Sequence, residues 1–412
     1  MRRLFYIMLL AVLLPVLPSA VRGQVPSDGF TLVDSTVTAS LLTCSPGEEI
    51  YELYGHTAIR MQWTEVLGDT IFPYDVVYNF GLFDFNQPHF AWHFTLGECD
   101  YIVAPTLLSY FLSDYERRGS SVTEQLLNLR QYEAVALLHA LDSVCRPENR
   151  TYRYNIFRNN CTTKARDIIE QSIYGEVRYP IRPRRNSFRT ILHEFTKGHP
   201  WAREGNDLLL GASVDTSIVE RDEMFSPIYM MRYADSAFID AGPLGMRPLV
   251  SERRELLPAN PERQAALAQS SSSFPLSPTV LAWGLLALGV LLAIWEWRRG
   301  RICWPVDAVL MTLQGLAGVL LSFMALCSQH PGVASNWQVW VFNPLPLLFM
   351  PFVVAADIRH KGHVYHRIAA VWLIAFVALY FIIPQDFSQI ILPLALLLLS
   401  RAIVHLLIYS KS

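Results

Sequence analysis

The sequence predicts an α+β domain exported across a membrane, followed by a helical membrane domain of about five spans. Two observations support this prediction. Hydrophobic residues make up 52% of the 412 residues, and they concentrate at the N-terminus and after residue 275. Between these apolar parts, strand-like alternation and helical spacing occur in the same region. The formal net charge of −2 gives no reason to expect nucleic-acid binding.

The first 23 residues are predicted to be a secretory signal peptide. Arg2 and Arg3 precede an apolar run over 4–17, and small residues suit cleavage before Gln24. An uncleaved membrane anchor is the alternative. In either case the following region is exported, to a compartment where disulfides can form.

Three further segments follow from composition. Residues 24–260 are predicted to form the exported α+β domain, 261–278 a linker, and 279–412 the helical membrane domain. The linker prediction rests on a stretch rich in Pro, Ser, Ala and Gln.

The predicted membrane spans are 279–297, 306–327, 345–356, 368–383 and 390–407. The third is short and contains Pro346 and Pro351, so four spans with a re-entrant third segment is the alternative. Lys and Arg follow the first, third and fifth spans, whereas the loops 328–343 and 384–388 contain neither. The positive-inside rule therefore places these two loops and the exported domain outside, and the C-terminus in the cytoplasm.

Within the exported region, periodicity predicts the elements that could position a site. The predicted strands are 51–63, 74–83 and 91–96, and the predicted helices are 105–117, 131–144 and 160–174. In the last helix, Cys161, Ala165, Ile168 and Ile169 share one face.

Cys161 is the candidate nucleophile. It follows Asn160, which suits the N-cap of the helix, and the positive end of the helix dipole lowers a thiol pKa there. The adjacent backbone N–H groups are expected to be free to bind a developing oxyanion. A buried structural cysteine or half of a disulfide is the alternative. If Cys161 is free, Cys44, Cys99 and Cys145 allow at most one bridge.

His56 is the candidate general base. Strand alternation places Tyr54, His56, Ala58 and Arg60 on one face, from which a histidine can reach a helix packed on the sheet. An ordinary hydrogen-bonded histidine is the alternative. His56 and Cys161 strengthen each other's assignment, because each supplies the partner that the other needs.

A third polar residue should orient the imidazole. Asn79 lies on the predicted neighbouring strand, and its amide oxygen can accept from the ring N–H. Asp75, Asp84 and His93 are rival candidates, and a turn position for Asn79 is equally compatible with the pattern.

Other polar residues surround these candidates. Tyr54, Asn159 and Asn160 are expected to bind substrate. In the outer loop, Asn336 and Trp337 belong either to an interfacial belt or to a surface that seats a lipid headgroup. No Cys or His cluster has the spacing typical of zinc ligands, and no cofactor is expected.

Three short motifs resemble the Lnb-type periplasmic domain. They are Tyr-Gly-His-Thr-Ala-Ile-Arg (54–60), Val-Tyr-Asn-Phe-Gly-Leu-Phe-Asp-Phe (77–85) and Asn-Cys-Thr-Thr (160–163). The membrane spans, with His-Pro and Asn-Pro in the outer loop, resemble the matching Lnb-type transmembrane domain. The His-before-Cys order also resembles circularly permuted papain-like folds of the NlpC/P60 and lecithin:retinol acyltransferase kind.

The resemblance implies a permuted papain-like domain with Cys161 as nucleophile, His56 as base and Asn79 as the third residue. More than a hundred residues separate His56 from Cys161, which leaves the strand order open. The implied reaction is lipoprotein N-acylation at the bacterial inner membrane. A phospholipid would donate an acyl chain through a Cys161 thioester to the N-terminal amine of a diacylglyceryl-cysteine lipoprotein.

Two other classes of protein remain open at this point. One is a membrane-anchored thiol hydrolase, either a phospholipase or a peptidoglycan endopeptidase, in which water replaces the amine as acceptor. The other is a non-enzymatic envelope scaffold with a structural Cys161.

Overall fold

A computed structural model of the protein describes residues 36–67, 70–83, 88–181, 186–270 and 274–410. The predicted signal peptide, residues 1–23, lies outside the described residues.

The exported domain is built on an antiparallel sheet. Its strands are β1 (Thr38–Cys44), β2 (His56–Leu67), β3 (Thr70–Leu82), β4 (Asp100–Leu107), β5 (Val122–Leu127), β6 (Thr151–Arg153) and, after three strands of a second sheet, β10 (Val250–Leu257). Their order across the sheet is β10-β5-β1-β2-β3-β4-β6. The second sheet contains β7 (Glu176–Arg178), β8 (Phe238–Asp240) and β9 (Met246–Pro248).

Helices cover both faces of the larger sheet. In chain order they are α1 (Phe90–Leu96), α2 (Leu108–Arg118), α3 (Gln131–Val144), α4 (Cys161–Ser172), α5 (Phe188–Phe195), α6 (Pro200–Leu209), α7 (Glu220–Glu223), α8 (Pro227–Ala234) and α9 (Pro261–Ser270). Short 3-10 helices lie at Ala212–Val214 and Gly242–Leu244. The predicted α+β class is confirmed.

The sheet separates two apolar cores because successive strand residues point to opposite faces. Leu41 and Ile59 face a large core with Ala165 and Ile169 of α4. Leu42 and Ala58, their chain neighbours, face a smaller core with Phe111 of α2. Full burial of each leucine, isoleucine or phenylalanine here contributes about 1.5–3 kcal/mol, so both faces fix the strand register.

The membrane domain consists of α10 (Pro278–Arg299), α11 (Trp304–Cys327), α12 (Leu345–Ile358), α13 (Val364–Leu379) and α14 (Ile391–Tyr409). Among the described residues, four segments are long and apolar enough to cross a membrane, and α13 is a shorter apolar helix. One of the four joins α12 to the 3-10 helix Trp337–Trp340, which makes the third span long enough. The short apolar helix is therefore the fourth, α13, whereas the sequence predicted that the third span is the short one.

The exported domain docks on the loops that the charge pattern predicts to lie outside. Leu96 O accepts from the backbone N–H of Gln329 at 2.7 Å, and the Gly211 N–H donates to Gly332 O at 2.7 Å. Asn336 is buried and donates to Leu208 O at 2.8 Å. Its amide therefore joins the two domains, and the interpretation of Asn336 as a headgroup seat is wrong.

Three predicted elements of the exported domain are corrected. The predicted strand 51–63 begins only at His56, because residues 51–54 form a turn. The predicted strand 91–96 is helix α1, which pairs with no strand and instead packs Trp92 against Phe323 of α11, with ring centroids 5.5 Å apart. The predicted helix 105–117 begins later, because Pro105 lies in β4 opposite Tyr78.

The segment predicted as a linker is partly helical. It contains α9, which follows Asn260 and lies beside α2. The Asn260 N–H donates to Gly119 O at 2.9 Å, and Arg263 Nε donates to Arg117 O at 3.1 Å. The first part of this segment is therefore held against the exported domain.

Candidate active site

Cys161 is the first residue of α4, as the sequence predicts. The Asn160 side chain accepts from the backbone N–H groups of Thr162 and Thr163, both at 2.9 Å. Thr163 Oγ1 accepts from the Asn160 N–H at 2.9 Å, which completes a capping box. This double cap fixes where the helix begins and hence where the sulfur lies.

The Asn160 cap reduces the number of backbone N–H groups that could bind an oxyanion. Two of the helix-start N–H groups that were expected to be free are occupied by Asn160. The N–H of Cys161 itself is left, since a first-turn N–H has no partner within its helix and no other hydrogen bond among the described residues uses it. An oxyanion formed at this sulfur would therefore meet one helix-start donor, not several.

The Cys161 thiol lies in an environment that favours the thiolate. Burial alone would raise its pKa, but attraction to His56, a hydrogen bond with the imidazole and another from the Thr57 N–H together lower the pKa below its ordinary value. The Thr162 hydroxyl, 3.8 Å from Sγ, acts in the same direction.

His56 is affected in the opposite sense. Burial would lower the pKa of its imidazole, but attraction to Cys161 and hydrogen bonds with Cys161 and Asn79 raise the pKa above its ordinary value. The two shifts have a common cause, because a thiolate and an imidazolium stabilise each other. Since the two groups interact, their titrations belong to the pair and not to either residue alone.

The position of His56 is set by a tight turn before β2. Gly55 has φ +74°, and a Cβ at this position would lie 2.5 Å from Cys44 O. Only glycine fits such a conformation and such a close approach. His56 is consequently the first residue of the strand, where its ring lies at the end of the sheet beside the start of α4.

Among the described candidates for the residue that orients the imidazole, Asn79 lies beside His56. It is on β3, opposite Ala58 of β2, and its Oδ1 is 3.3 Å from His56 Nε2. Asp75 instead binds Arg60 at 2.6 Å. His93 lies on exposed α1 near Glu98. Asp84 lies outside the described residues.

The three predicted substrate-binding residues differ in whether their side chains keep hydrogen-bonding groups for a substrate. Tyr54 is part-buried, and its hydroxyl accepts from Asn206 Nδ2 at 2.6 Å. Asn159 donates to Arg153 O at 2.6 Å. Asn160 is buried, and besides its cap it donates to Ile156 O and Phe225 O. Its side chain therefore has no hydrogen-bonding group left for a substrate, and it acts here as a positioning residue.

Sequence reasoning missed several residues that shape the site. Thr57 and Thr162 join β2 to α4 through their hydroxyls at 3.0 Å. Gly81 has φ +86°, and a Cβ on it would lie 3.6 Å from Cβ of Cys161 and 3.8 Å from the ring of Tyr154. Both threonines adjoin predicted site residues in the chain, which is the signal that could have identified them.

A line of aromatic rings leads from this site to the membrane domain. Successive ring centroids lie 4.1 Å (Tyr154–Tyr101), 4.9 Å (Tyr101–Phe83), 6.3 Å (Phe83–Phe90) and 5.7 Å (Phe90–Phe94) apart. Phe94 and Trp92, on α1, are 48% and 55% exposed and lie beside the outer end of α11. We call these five rings, from Tyr154 to Phe94, the aromatic track.

The other cysteines are free, as is Cys161. Cys44 lies opposite His56 in the register between β1 and β2. It is fully buried, and this burial raises the pKa of its thiol.

Family models match both parts of the chain. The Lnb N-terminal periplasmic domain matches residues 31–191, which include His56, Asn79 and Cys161, and the Lnb transmembrane domain matches residues 269–412. No curated protein and no solved structure matches the chain, so the permuted papain-like topology stays a prediction. The protein therefore combines an Lnb periplasmic domain with an Lnb transmembrane domain, which identifies it as a membrane protein of the Lnb family.

Proposed function

We propose that this protein is a lipoprotein N-acyltransferase of the bacterial inner membrane that works through a Cys161 thioester. The main support is the grouping of Cys161, His56 and Asn79 at one end of the sheet, in a domain docked on membrane helices. The family match supports the coarser statement of an acyltransferase-like membrane protein. The substrates and residue roles below are part of the proposal.

In the first half-reaction the Cys161 thiolate attacks the carbonyl carbon of a phospholipid ester. The carbonyl oxygen becomes an oxyanion, which the Cys161 N–H is placed to bind. When the ester C–O bond breaks, the His56 imidazolium donates its proton to the departing alkoxide. The products are a lysophospholipid, a neutral imidazole and an acyl thioester on Cys161.

In the second half-reaction the N-terminal amine of a diacylglyceryl-cysteine lipoprotein attacks the thioester. Neutral His56 accepts the proton that the amine loses, and the carbon–sulfur bond breaks to release the thiolate. The product is an amide at the lipoprotein N-terminus, and the thiolate–imidazolium pair is restored. Asn79, by accepting from His56 Nε2–H, would hold the ring so that its other nitrogen faces the sulfur.

The aromatic track offers a route by which an acyl chain could approach the sulfur from the bilayer. Its outer member, Phe94, is 48% exposed and contacts His330 in the loop after α11, and its inner member, Tyr154, adjoins the Gly81–Cys161 contact. A chain that leaves the bilayer would lose about 0.8 kcal/mol for each methylene exposed to water, and contact with these rings would reduce that cost. Exclusion of water from the same site would favour the amine over hydrolysis.

The test uses cells depleted of their own lipoprotein N-acyltransferase. The full chain is expressed, and lipoprotein N-terminal peptides are analysed by mass spectrometry. We expect one added acyl mass with the wild-type chain and with Cys99→Ala, which removes another thiol of the same domain. Cys161→Ala and His56→Ala should leave the diacyl form.

Two outcomes would contradict the proposal. Unchanged diacyl peptides with the wild-type chain would exclude the transfer reaction. Release of free fatty acid and lysophospholipid without acylated peptide would assign a hydrolase in its place.

A further inference from the structure

A second group of ionisable side chains is buried in the membrane domain, at the end of the helices away from the exported domain. One or two members come from each of the five helices α10 to α14. All are at most 5% exposed: Glu296, Asp307, Asp357, His366, Arg401 and His405. We call this set the membrane-domain cluster.

Three members of the membrane-domain cluster, Glu296, Asp307 and Arg401, are paired with one another. Arg401 binds Asp307 through two hydrogen bonds of 2.7 and 2.9 Å, and it also binds both oxygens of Glu296. His405 Nε2 lies 3.0 Å from Asp307 Oδ2 and can donate its proton there. This half resembles an ordinary buried ion-pair network, which ties α10, α11 and α14 together.

The other half has unused polar atoms. Asp357 Oδ2, His366 Nε2 and His405 Nδ1 are each buried without a hydrogen-bond partner among the described residues. His405 Nδ1 nevertheless lies 3.4 Å from the other carboxylate oxygen, Asp357 Oδ1. One ligand atom from each of the three residues lies within 4.8 Å of the other two. Each buried polar atom left without a partner costs about 1–3 kcal/mol, so three such atoms in one buried group of side chains call for a specific explanation.

The formal charges of the cluster point to a missing cation. Glu296, Asp307 and Asp357 are acidic, and Arg401 is the only buried Lys or Arg among the described membrane-domain residues. With neutral histidines the cluster carries two excess negative charges. Protonating His405 alone, between Asp307 and Asp357, would leave one excess negative charge. Protonating both histidines would balance the charges, but their rings stack with centroids 3.6 Å apart, where two imidazolium ions repel.

We propose that Asp357, His366 and His405 bind one divalent transition-metal ion, for which zinc is the suitable probe. Two imidazoles and one carboxylate are a common ligand set for such ions. The bond from His405 Nε2 to Asp307 leaves Nδ1 as the ligand atom, an arrangement typical of histidines at metal sites. A divalent ion would cancel the two excess charges and occupy all three unpaired atoms.

A small cavity lies beside one of the three proposed ligands. Its volume is about 30 Å³, enough for a single water molecule, and it is lined by His366 together with Asp307, Tyr365 and Arg401. In a filled tetrahedral site with bonds of about 2.0 Å the ligand atoms lie roughly 3.3 Å apart. The side chains would therefore draw together around the ion and join α12, α13 and α14, a role independent of acyl transfer.

The experiment measures zinc binding by the untagged full chain in detergent. The protein carries Cys161→Ala, so that the thiolate–imidazole pair of the exported domain cannot take the ion. After removal of metal with a chelator, the protein is titrated with Zn²⁺, and bound zinc and the thermal midpoint are measured. We expect one zinc per chain and a higher midpoint with zinc than with chelator.

Variants separate metal binding from packing. His366→Phe keeps an aromatic ring against His405 but removes the ligand nitrogen, and we expect at least a tenfold loss of zinc affinity. Asp357→Asn should weaken binding similarly, whereas His139→Ala, an exposed histidine of α3, should not. Circular dichroism shows whether each variant is folded.

Two results would overturn the inference. One is a folded parent chain that binds no zinc and has the same thermal midpoint with zinc as with chelator. The other is equal zinc binding by the parent and by folded His366→Phe. In either case the three unpaired atoms would be balanced by protons or water.

Discussion

Two cysteines lie next to His56, and only one of them has the environment of a nucleophile. Cys44 faces His56 across the β1–β2 ladder but is fully buried, and burial raises the pKa of its thiol. Cys161 approaches from the start of α4, where His56 and the Thr57 N–H lower its pKa despite burial. Proximity to a histidine is therefore insufficient, because the thiolate also needs donors and access from outside.

Replacing each of these two cysteines in turn should give the largest difference in acyl transfer. Cys161→Ala should reduce acyl transfer by about 10⁴-fold or more, as expected when a covalent nucleophile is lost. Cys44→Ala should retain most of the activity, because that thiol lies in the smaller core. Quantitative mass spectrometry of lipoprotein peptides measures both, and an inactive but folded Cys44→Ala chain would remove the distinction between the two sites.

Loss of the imidazole should be the next largest effect. His56→Ala removes both the general acid–base group and the charge that stabilises the thiolate, so we expect a decrease of about 10²–10⁴-fold. The same transfer assay measures it, with the exposed His139→Ala as control. Near-normal transfer by folded His56→Ala would show that another group moves the proton.

Asn79→Ala should have a smaller effect. A hydrogen bond to a charged group contributes about 1.5–3 kcal/mol, which corresponds to roughly tenfold to a hundredfold in rate. Because this bond helps to raise the pKa of His56, the alkaline limb of the pH–rate profile should also move to lower pH. An unchanged pH profile would mean that Asn79 does not position the imidazole.

The rate of alkylation by iodoacetamide should distinguish the two thiols as a function of pH. The lowered pKa means that Cys161 is already ionised at pH values where an ordinary thiol is protonated, so its rate should level off earlier as pH rises. In His56→Ala the same curve should shift to higher pH. Peptide mapping measures the rate at each cysteine, and equal pH curves for Cys161 and an unfolded thiol would contradict the comparison.

The helix cap should have the smallest effect. Asn160→Ala removes the two cap hydrogen bonds and the side-chain bonds to Ile156 O and Phe225 O, so we expect a loss of about 2 kcal/mol in the free energy of unfolding. Thermal or denaturant unfolding of the full chain measures it. A matched Asn128→Ala variant, which removes an exposed side-chain bond to Pro248 O, should be nearly neutral.

The sequence was sufficient where a local rule decides the structure. A capping asparagine before an amphipathic segment predicts the start of α4, and the alternating pattern predicts the strands β2 and β3, whose pairing brings Asn79 to His56. These features depend on backbone hydrogen bonds within a few residues and on side-chain periodicity. Both can be seen in one chain.

The sequence was insufficient where contacts between distant segments decide the local structure. The alternating aromatic residues of 91–96 read as a strand, but the segment docks on α11 as a helix, a contact with residues more than two hundred positions away. The ligand set Asp357, His366 and His405 likewise has no short motif spacing, because three separate helices supply it. Long-range packing creates such sites, and local periodicity does not contain that information.

The most direct test of the account is to look for the acyl group on the sulfur. The purified full chain is mixed with phospholipid vesicles without a lipoprotein acceptor, and its cysteine peptides are analysed by mass spectrometry. We expect a fatty-acyl mass on the Cys161 peptide that hydroxylamine removes and that His56→Ala lacks. Acyl transfer by a chain that never carries this mass at Cys161 would contradict it.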